Sequence, residues 1–171
     1  VVTITEGAKL DVPVHLVFVS DLAEPASVTV RNRIDIGRGA RCTIIESHVA
    51  LGAAERQTNA VTEVVVGDGA TAVHVKLLAE GPRSMHLGTS IVTLGRDCIY
   101  RPVQLTESPA LARNQSFVAF EGEGALFDFK AASLVRDHEH ADTTLVIDHK
   151  VPRCTSREHF KTVLDGEAQA V

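Results

Sequence analysis

VTVRNRIDIGRGARCTIIESHV, residues Val28 to Val49, decides the fold. Two alternating runs meet at the word Gly37-Arg38-Gly39-Ala40. In the first run Val28, Val30, Ile34 and Ile36 share one face, and Thr29, Arg31, Arg33 and Asp35 share the other. That is the period of a strand, which sends successive side chains to opposite sides. Glycine supplies the positive φ a tight corner needs, and alanine is small enough to stack beneath a neighbour. The word recurs as Gly7-Ala8, Gly67-Asp68-Gly69-Ala70, Gly95-Arg96-Asp97-Cys98 and Gly122-Glu123-Gly124-Ala125. In chain order the five first glycines lie 30, 30, 28 and 27 residues apart.

A fixed period of about 20–50 residues is the mark of a stacked repeat. Because each repeat is strand, corner, strand, the expectation is an all-β chain, a right-handed parallel β-helix (solenoid) of about six rungs. Neighbouring rungs would stack at about 4.8 Å. In the third rung Val73, Val75 and Leu77 are expected to point inward, and His74 and Lys76 outward. The competing architecture is an antiparallel sandwich, whose turns come every 8–12 residues or so. Loops are expected near Ala53-Ala54-Glu55, Glu80-Gly81-Pro82 and Glu107-Ser108-Pro109, with one helical turn over residues 107–114. Residues 1–171 read as a single domain. Starting at Val1 without Met and stopping in a strand-like word at Val171, the chain reads as a core fragment of something longer.

Hydrophobic residues make up 44% of the chain but aromatics only 4%, with no Trp and one Tyr. Val, Ile, Leu and Ala must therefore fill the interior, which suits narrow stacked layers. A net charge of −5 argues against nucleic acid or an anionic membrane as partner. No apolar run approaches the ~18 residues of a membrane span. The three cysteines, Cys42, Cys98 and Cys154, are odd in number and include no CxxC pair, which argues against a disulfide framework or a zinc knuckle. A reducing, cytoplasmic setting is expected.

Few residues point to chemistry. Both cysteine intervals are 56 residues, two turns of the repeat. Stacked rungs would hold those thiols about 9–10 Å apart, beyond the ~7 Å between Cα atoms that a disulfide allows. Cys42 and Cys98 read as small buried hydrophobes. Cys154 stands near His149, Arg153 and Arg157, where positive charge favours thiolate, and is a candidate for handling sulfur or metal. His138 and His140, spaced to share a strand face, with Asp142 beyond, suggest the metal pair of a cupin-like, metal-dependent enzyme. Against that, the cupin pattern expects a Glu a few residues later, and a solvated loop is the plainer reading. His149 lies on the apolar face of its strand and is expected to be a satisfied core histidine, with cofactor binding beside Cys154 as its other reading. No GxSxG, Walker A or dinucleotide fingerprint occurs. A polysaccharide-binding or lyase β-helix would want an aromatic groove that this composition does not supply.

Asp142 to Leu164, DTTLVIDHKVPRCTSREHFKTVL, reads as strand, sharp turn, strand, broken at Pro152. Leu145, Ile147, His149 and Val151 fall on one face. The words DTTLVIDHKVPRCTSR and EHFKTVLDGEAQAV, with HLVFVS from His15 to Ser20, resemble the SufBD family of iron–sulfur cluster assembly proteins, and its SufD type in particular. The resemblance implies a β-helical core with helical parts outside this stretch. It also implies a non-enzymatic scaffold subunit that pairs with a SufB-type subunit and carries a SufC-type ATPase. The iron–sulfur cluster would belong to the assembled complex, with no cofactor bound by this stretch. The family's cluster-site Cys and His are expected beyond residue 171, and no position here matches them. An uncovered last rung would leave unpaired N–H and C=O groups, so side-to-side or edge-to-edge pairing into a dimer is expected.

Overall fold

The computed structural model describes residues 1–107 and 109–171. Thirteen strands run β1 Val2–Ile4, β2 Val14–Asp21, β3 Ala26–Ile36, β4 Arg41–Leu51, β5 Arg56–Val66, β6 Thr71–Ala79, β7 Ser84–Leu94, β8 Ile99–Glu107, β9 Leu111–Phe120, β10 Leu126–Val135, β11 His140–His149, β12 Thr155–Leu164 and β13 Gln169–Ala170. Odd strands form one seven-stranded sheet and even strands a six-stranded one, each in sequential order. All the pairings are parallel. The chain is thus the parallel β-solenoid the repeat predicts, in about six turns. No helix is long and apolar enough to cross a membrane among the described residues. The helical turn expected over 107–114 does not form: Glu107 ends β8, and Leu111 to Asn114 open β9 in register with Met85 to Gly88. Pairing to the neighbouring rung outweighs the weak local helix signal. Ser108, part of that expected loop, lies outside the described residues.

The glycine words are corners that stack on one another. Gly7 N donates to Arg38 O, Gly39 N to Asp68 O, Gly69 N to Arg96 O and Asp97 N to Glu123 O, each at 2.8 Å. The residue third in each word takes positive φ: Gly39 at 65°, Gly69 at 66° and Gly124 at 77°, with Asp97 at 50° where glycine is replaced. Arg153, at 61°, makes the same corner in the Pro152 word. At the first position the need is closeness. A Cβ on Gly122 would stand 2.1 Å from Arg96 N and 2.4 Å from its Cα, both backbone atoms that cannot swing away. Gly122→Ala is therefore expected to lose about 1–3 kcal/mol, the usual cost of forced overpacking. A denaturant-midpoint shift equivalent to less than ~0.5 kcal/mol would contradict the stacked-corner geometry.

Beside these corners the interior is apolar. Ile34, Val64, Val92 and Val118 form one inward column, and Ile36, Val66, Leu94 and Phe120 the next. Facing them, Cys42, Ala72, Tyr100 and Phe127 stack from the even sheet. Val28, Val30, Ile34 and Ile36 do point inward as expected. The third rung is inverted: His74 and Lys76 are buried, while Val73, Val75 and Leu77 lie on the outer face. The farther half of the cross-section is polar.

Candidate functional site

Counting inward positions by twos from the corner alanines leads from Cys42 to Ile44, Glu46 and His48 on β4, and from Ala72 to His74, Lys76 and Leu78 on β6. Register places Glu46 beside Lys76, and Lys76 beside Gln104 on β8. The odd sheet answers with Thr58 and Thr62 on β5, His86 on β7, and Asn114 and Ser116 on β9. All of these are buried. Glu80, on the loop between β6 and β7, turns its carboxylate into the same space and is 7% exposed.

The groups bond to one another. His48 Nε2 donates to Glu46 Oε1 at 2.7 Å, and Thr62 Oγ1 approaches both Glu46 oxygens at 3.4 Å. His74 Nε2 lies 3.3 Å from Glu46 Oε2, close enough for charge attraction but poorly aligned as a hydrogen bond. Its Nδ1 shares a 2.8 Å hydrogen bond with the Tyr100 hydroxyl. His86 Nδ1 donates to Glu80 Oε2 at 2.7 Å, and Thr58 Oγ1 donates to Glu80 Oε1 at 2.6 Å. The His48 and His86 rings meet edge to face at 4.7 Å, and Phe18 stacks on His48 at 4.8 Å.

Burial alone would raise the Glu46 carboxyl, but the His48 bond, the nearby His74 ring and the Lys76 charge hold it well below the usual range. Glu80 behaves the same way: burial opposes and His86 and Thr58 prevail, leaving it low. For His86 burial wins, helped by Lys76 and resisted by Glu80, and its value falls to about 4. Lys76 is lowered by burial against the pull of Glu46 and Glu80. The belt is therefore two carboxylates around a buried amine, with imidazoles between them.

The residues singled out from sequence fall elsewhere. Cys42 and Cys98 are free and buried, and burial raises both thiols, Cys98 to about 12. Neither is a thiolate near neutral pH. Cys154 is a free, half-buried thiol packed against the apolar core, its Sγ 3.4 Å from Gly122 O. It occupies the corner position held by Ala125 one rung earlier. His138 sits in a turn, 82% exposed, 3.1 Å from Glu167. His140 opens β11, and Asp142 pairs with Arg113 at 3.6 Å. Among the described residues, the one group of three such side chains with ligand atoms all within 4.8 Å is His48, Glu80 and His86. His138, His140 and Asp142 do not converge in that way. His149 aligns with Phe120, with ring centroids 4.6 Å apart, and is exposed among the described residues. β13 pairs with β11 only at His140 and Ala141, so nothing among the described residues covers its far side.

The sequence reading missed the polar belt entirely. Its signal was the 30-residue offset between Glu46 and Lys76, which the repeat turns into direct stacking.

Comparison with known proteins gives one consistent family. The family model described as SUF system FeS cluster assembly, SufBD core domain, matches residues 18–171. A SufBD family iron–sulfur cluster assembly protein of Synechocystis is 25% identical over 183 aligned positions, covering 100% of this chain and 40% of that protein. The Escherichia coli iron–sulfur cluster assembly protein SufD is 27% identical, over 82% of this chain and 33% of its own length. A SufBD family protein of Mycobacterium tuberculosis is 27% identical over 61% of this chain and 26% of its own. The chain thus spans well under half the length of these relatives.

Proposed function

This chain belongs to the SufBD core domain family of the SUF iron–sulfur cluster assembly system, and from that premise we propose that it is a non-catalytic, SufD-like scaffold subunit. In this reading it works in the cytoplasm, pairs with a SufB-type subunit and carries a SufC-type ATPase. The observation that carries the proposal is that the family match, residues 18–171, runs through nearly the whole solenoid. A continuous parallel ladder is stiff, because every rung is bonded to the next along its length. Such a body holds cluster-forming side chains at fixed positions while an ATP-driven partner moves them into or out of reach. The iron–sulfur cluster is cargo of the complex rather than a resident group of this chain.

The outer face of the even sheet supports subunit pairing. Val17 and Val19 on β2, Leu105 on β8, Leu134 on β10 and Val163 on β12 are all exposed there, at 51%, 55%, 43%, 40% and 59%. Exposed apolar side chains gathered on one face of a sheet fit an interaction surface. The odd sheet's outer face is mixed: Arg31 pairs with Glu63 and Arg33 lies 2.9 Å from Asp35, while exposed Ile91, Phe117 and Val146 stack in register.

Two experiments test the reading. The full-length protein is expected to co-purify with SufB-type and SufC-type partners. The complex, reconstituted anaerobically, is expected to take up iron and sulfide with a visible absorption spectrum that depends on this chain, making Cys154→Ala the next variant. No association with either partner would sink the proposal. Leu105→Glu should weaken subunit pairing at least tenfold or so, since it places a charge in a desolvated contact, while leaving thermal stability nearly unchanged. Sedimentation showing equal association for the variant and wild type would remove this face from the interface.

A further inference from the structure

We propose that His48, Glu80 and His86 form a buried site for one divalent first-row transition-metal ion, bound by two imidazole nitrogens and a carboxylate oxygen. One ligand atom from each lies within 4.8 Å of the others, a spacing that small side-chain rotations would close around a single ion. Two histidines with one carboxylate is a donor set that suits zinc and iron(II) and leaves positions open for water or another ligand. The three residues come from β4, the β6–β7 loop and β7, so separate rungs of both sheets bring them together.

The surroundings are those of a held ligand set. A metal-bound histidine characteristically donates its other N–H to a carboxylate, and bound carboxylates are themselves hydrogen-bonded. Glu46 takes the Nε2 proton of His48, which leaves Nδ1 as that ring's free donor atom. Thr58 Oγ1 bonds one Glu80 oxygen. His86 supplies the most telling detail. With its proton on Nδ1 toward Glu80, Nε2 is a bare lone pair, 0% exposed and without a partner, and Asn114 Oδ1 is another unpartnered buried acceptor. Both stand 3.0 Å from the point where a Gly88 side chain would begin, with Lys76 Nζ 2.6 Å from it. When an ion takes Nδ1, the proton moves to Nε2, on the side of Asn114. The unmet Nε2 then becomes a donor in the niche it shares with Asn114 Oδ1, and no net proton is released. The glycine keeps that niche open to Lys76 Nζ, Asn114 Oδ1 and His86 Nε2.

Among the described residues, a cleft of about 290 Å³ runs between β2 and β3, with His48, Thr58 and Glu80 in its lining. The site stands apart from the scaffold reading, since loss of partner binding leaves it untouched and its absence leaves the scaffold untouched.

The test is metal loading of the full-length protein after chelator treatment and dialysis. Cobalt(II) is the spectroscopic probe, and zinc is titrated calorimetrically. One equivalent of cobalt should give visible d–d bands of nitrogen and oxygen ligation, displaced by zinc. Glu80→Gln and His48→Gln should each raise the zinc Kd at least ~10-fold, and Glu46→Gln should raise it about 10–100-fold by freeing the His48 ring. Circular dichroism verifies that each variant is folded. An anomalous difference map of zinc-loaded wild-type crystals needs no variant, and must place the ion between the His48 and His86 rings. Folded wild type that takes up no cobalt, a peak elsewhere, or unchanged affinity in folded Glu80→Gln and His48→Gln overturns the site.

Discussion

Glu46→Gln is expected to destabilise the protein by about 3–5 kcal/mol, the cost of breaking a buried charge set by removing one member. Glu46 is 1% exposed and stacks directly on Lys76. Its carboxylate also accepts from His48 at 2.7 Å. The amide keeps the shape but removes the charge, so the Lys76 ammonium is left with Glu80 as its remaining anionic neighbour in the belt. Urea titration should show the midpoint falling with little change in slope. The double variant Glu46→Gln/Lys76→Met provides the decisive comparison. Taking out the cation as well should restore most of the loss, giving a coupling above ~1 kcal/mol. Additive single effects would show that Lys76 does not depend on Glu46.

The second large effect is acid sensitivity in metal-stripped protein. His86 titrates near 6.5 when unfolded and at about 4 when folded, because burial and Lys76 disfavour its cation. Between those values the unfolded chain binds more protons, so stability rises with pH across the window and falls as pH drops through it. The loss from pH 6.5 to 4 is about 3 kcal/mol. Above pH 6.5 both states hold the neutral ring and this contribution vanishes. Glu46 and Glu80, held below their ordinary values, add loss in the same direction below about pH 4.5. Their protonation also removes the anions facing His48, His86 and Lys76. Denaturant midpoints measured from pH 7.5 to 4.5 should fall steadily below 6.5, and His86→Gln should flatten that part of the curve. A flat wild-type profile would mean that His86 reaches solvent when it takes up a proton.

The fold could be read from the chain because its corners are set by local backbone needs. Glycine at positive φ and alanine beneath a neighbour leave a mark every 27 to 30 residues. Even the substituted corner at Asp97 keeps the spacing. The site was not legible, because alternation separates two faces without saying which one is inside. Hydrophobicity is the usual guide, and on β6 it points the wrong way: Val73, Val75 and Leu77 face outward and His74 and Lys76 inward. Only the long-range register resolves this, since Lys76 becomes tolerable inside once Glu46 is its neighbour. His149 shows the same limit: alternation gives its apolar face, but its burial depends on a neighbouring strand, and β13 pairs with β11 at His140 and Ala141.

Each strand bonds only to the strands one turn before and one turn after it. Harm to such a column depends on where it falls. A weakened turn at either extremity shortens the stack by one layer and spares the others. The same weakening at β6 or β7, which have bonded neighbours on both sides, severs the column and bares a new end on each part. Glu46, Lys76, Glu80 and His86 sit in or beside those turns. Partial unfolding in acid should therefore begin inside the column, between β4 and β7, where a uniformly apolar interior would offer no such weak layer.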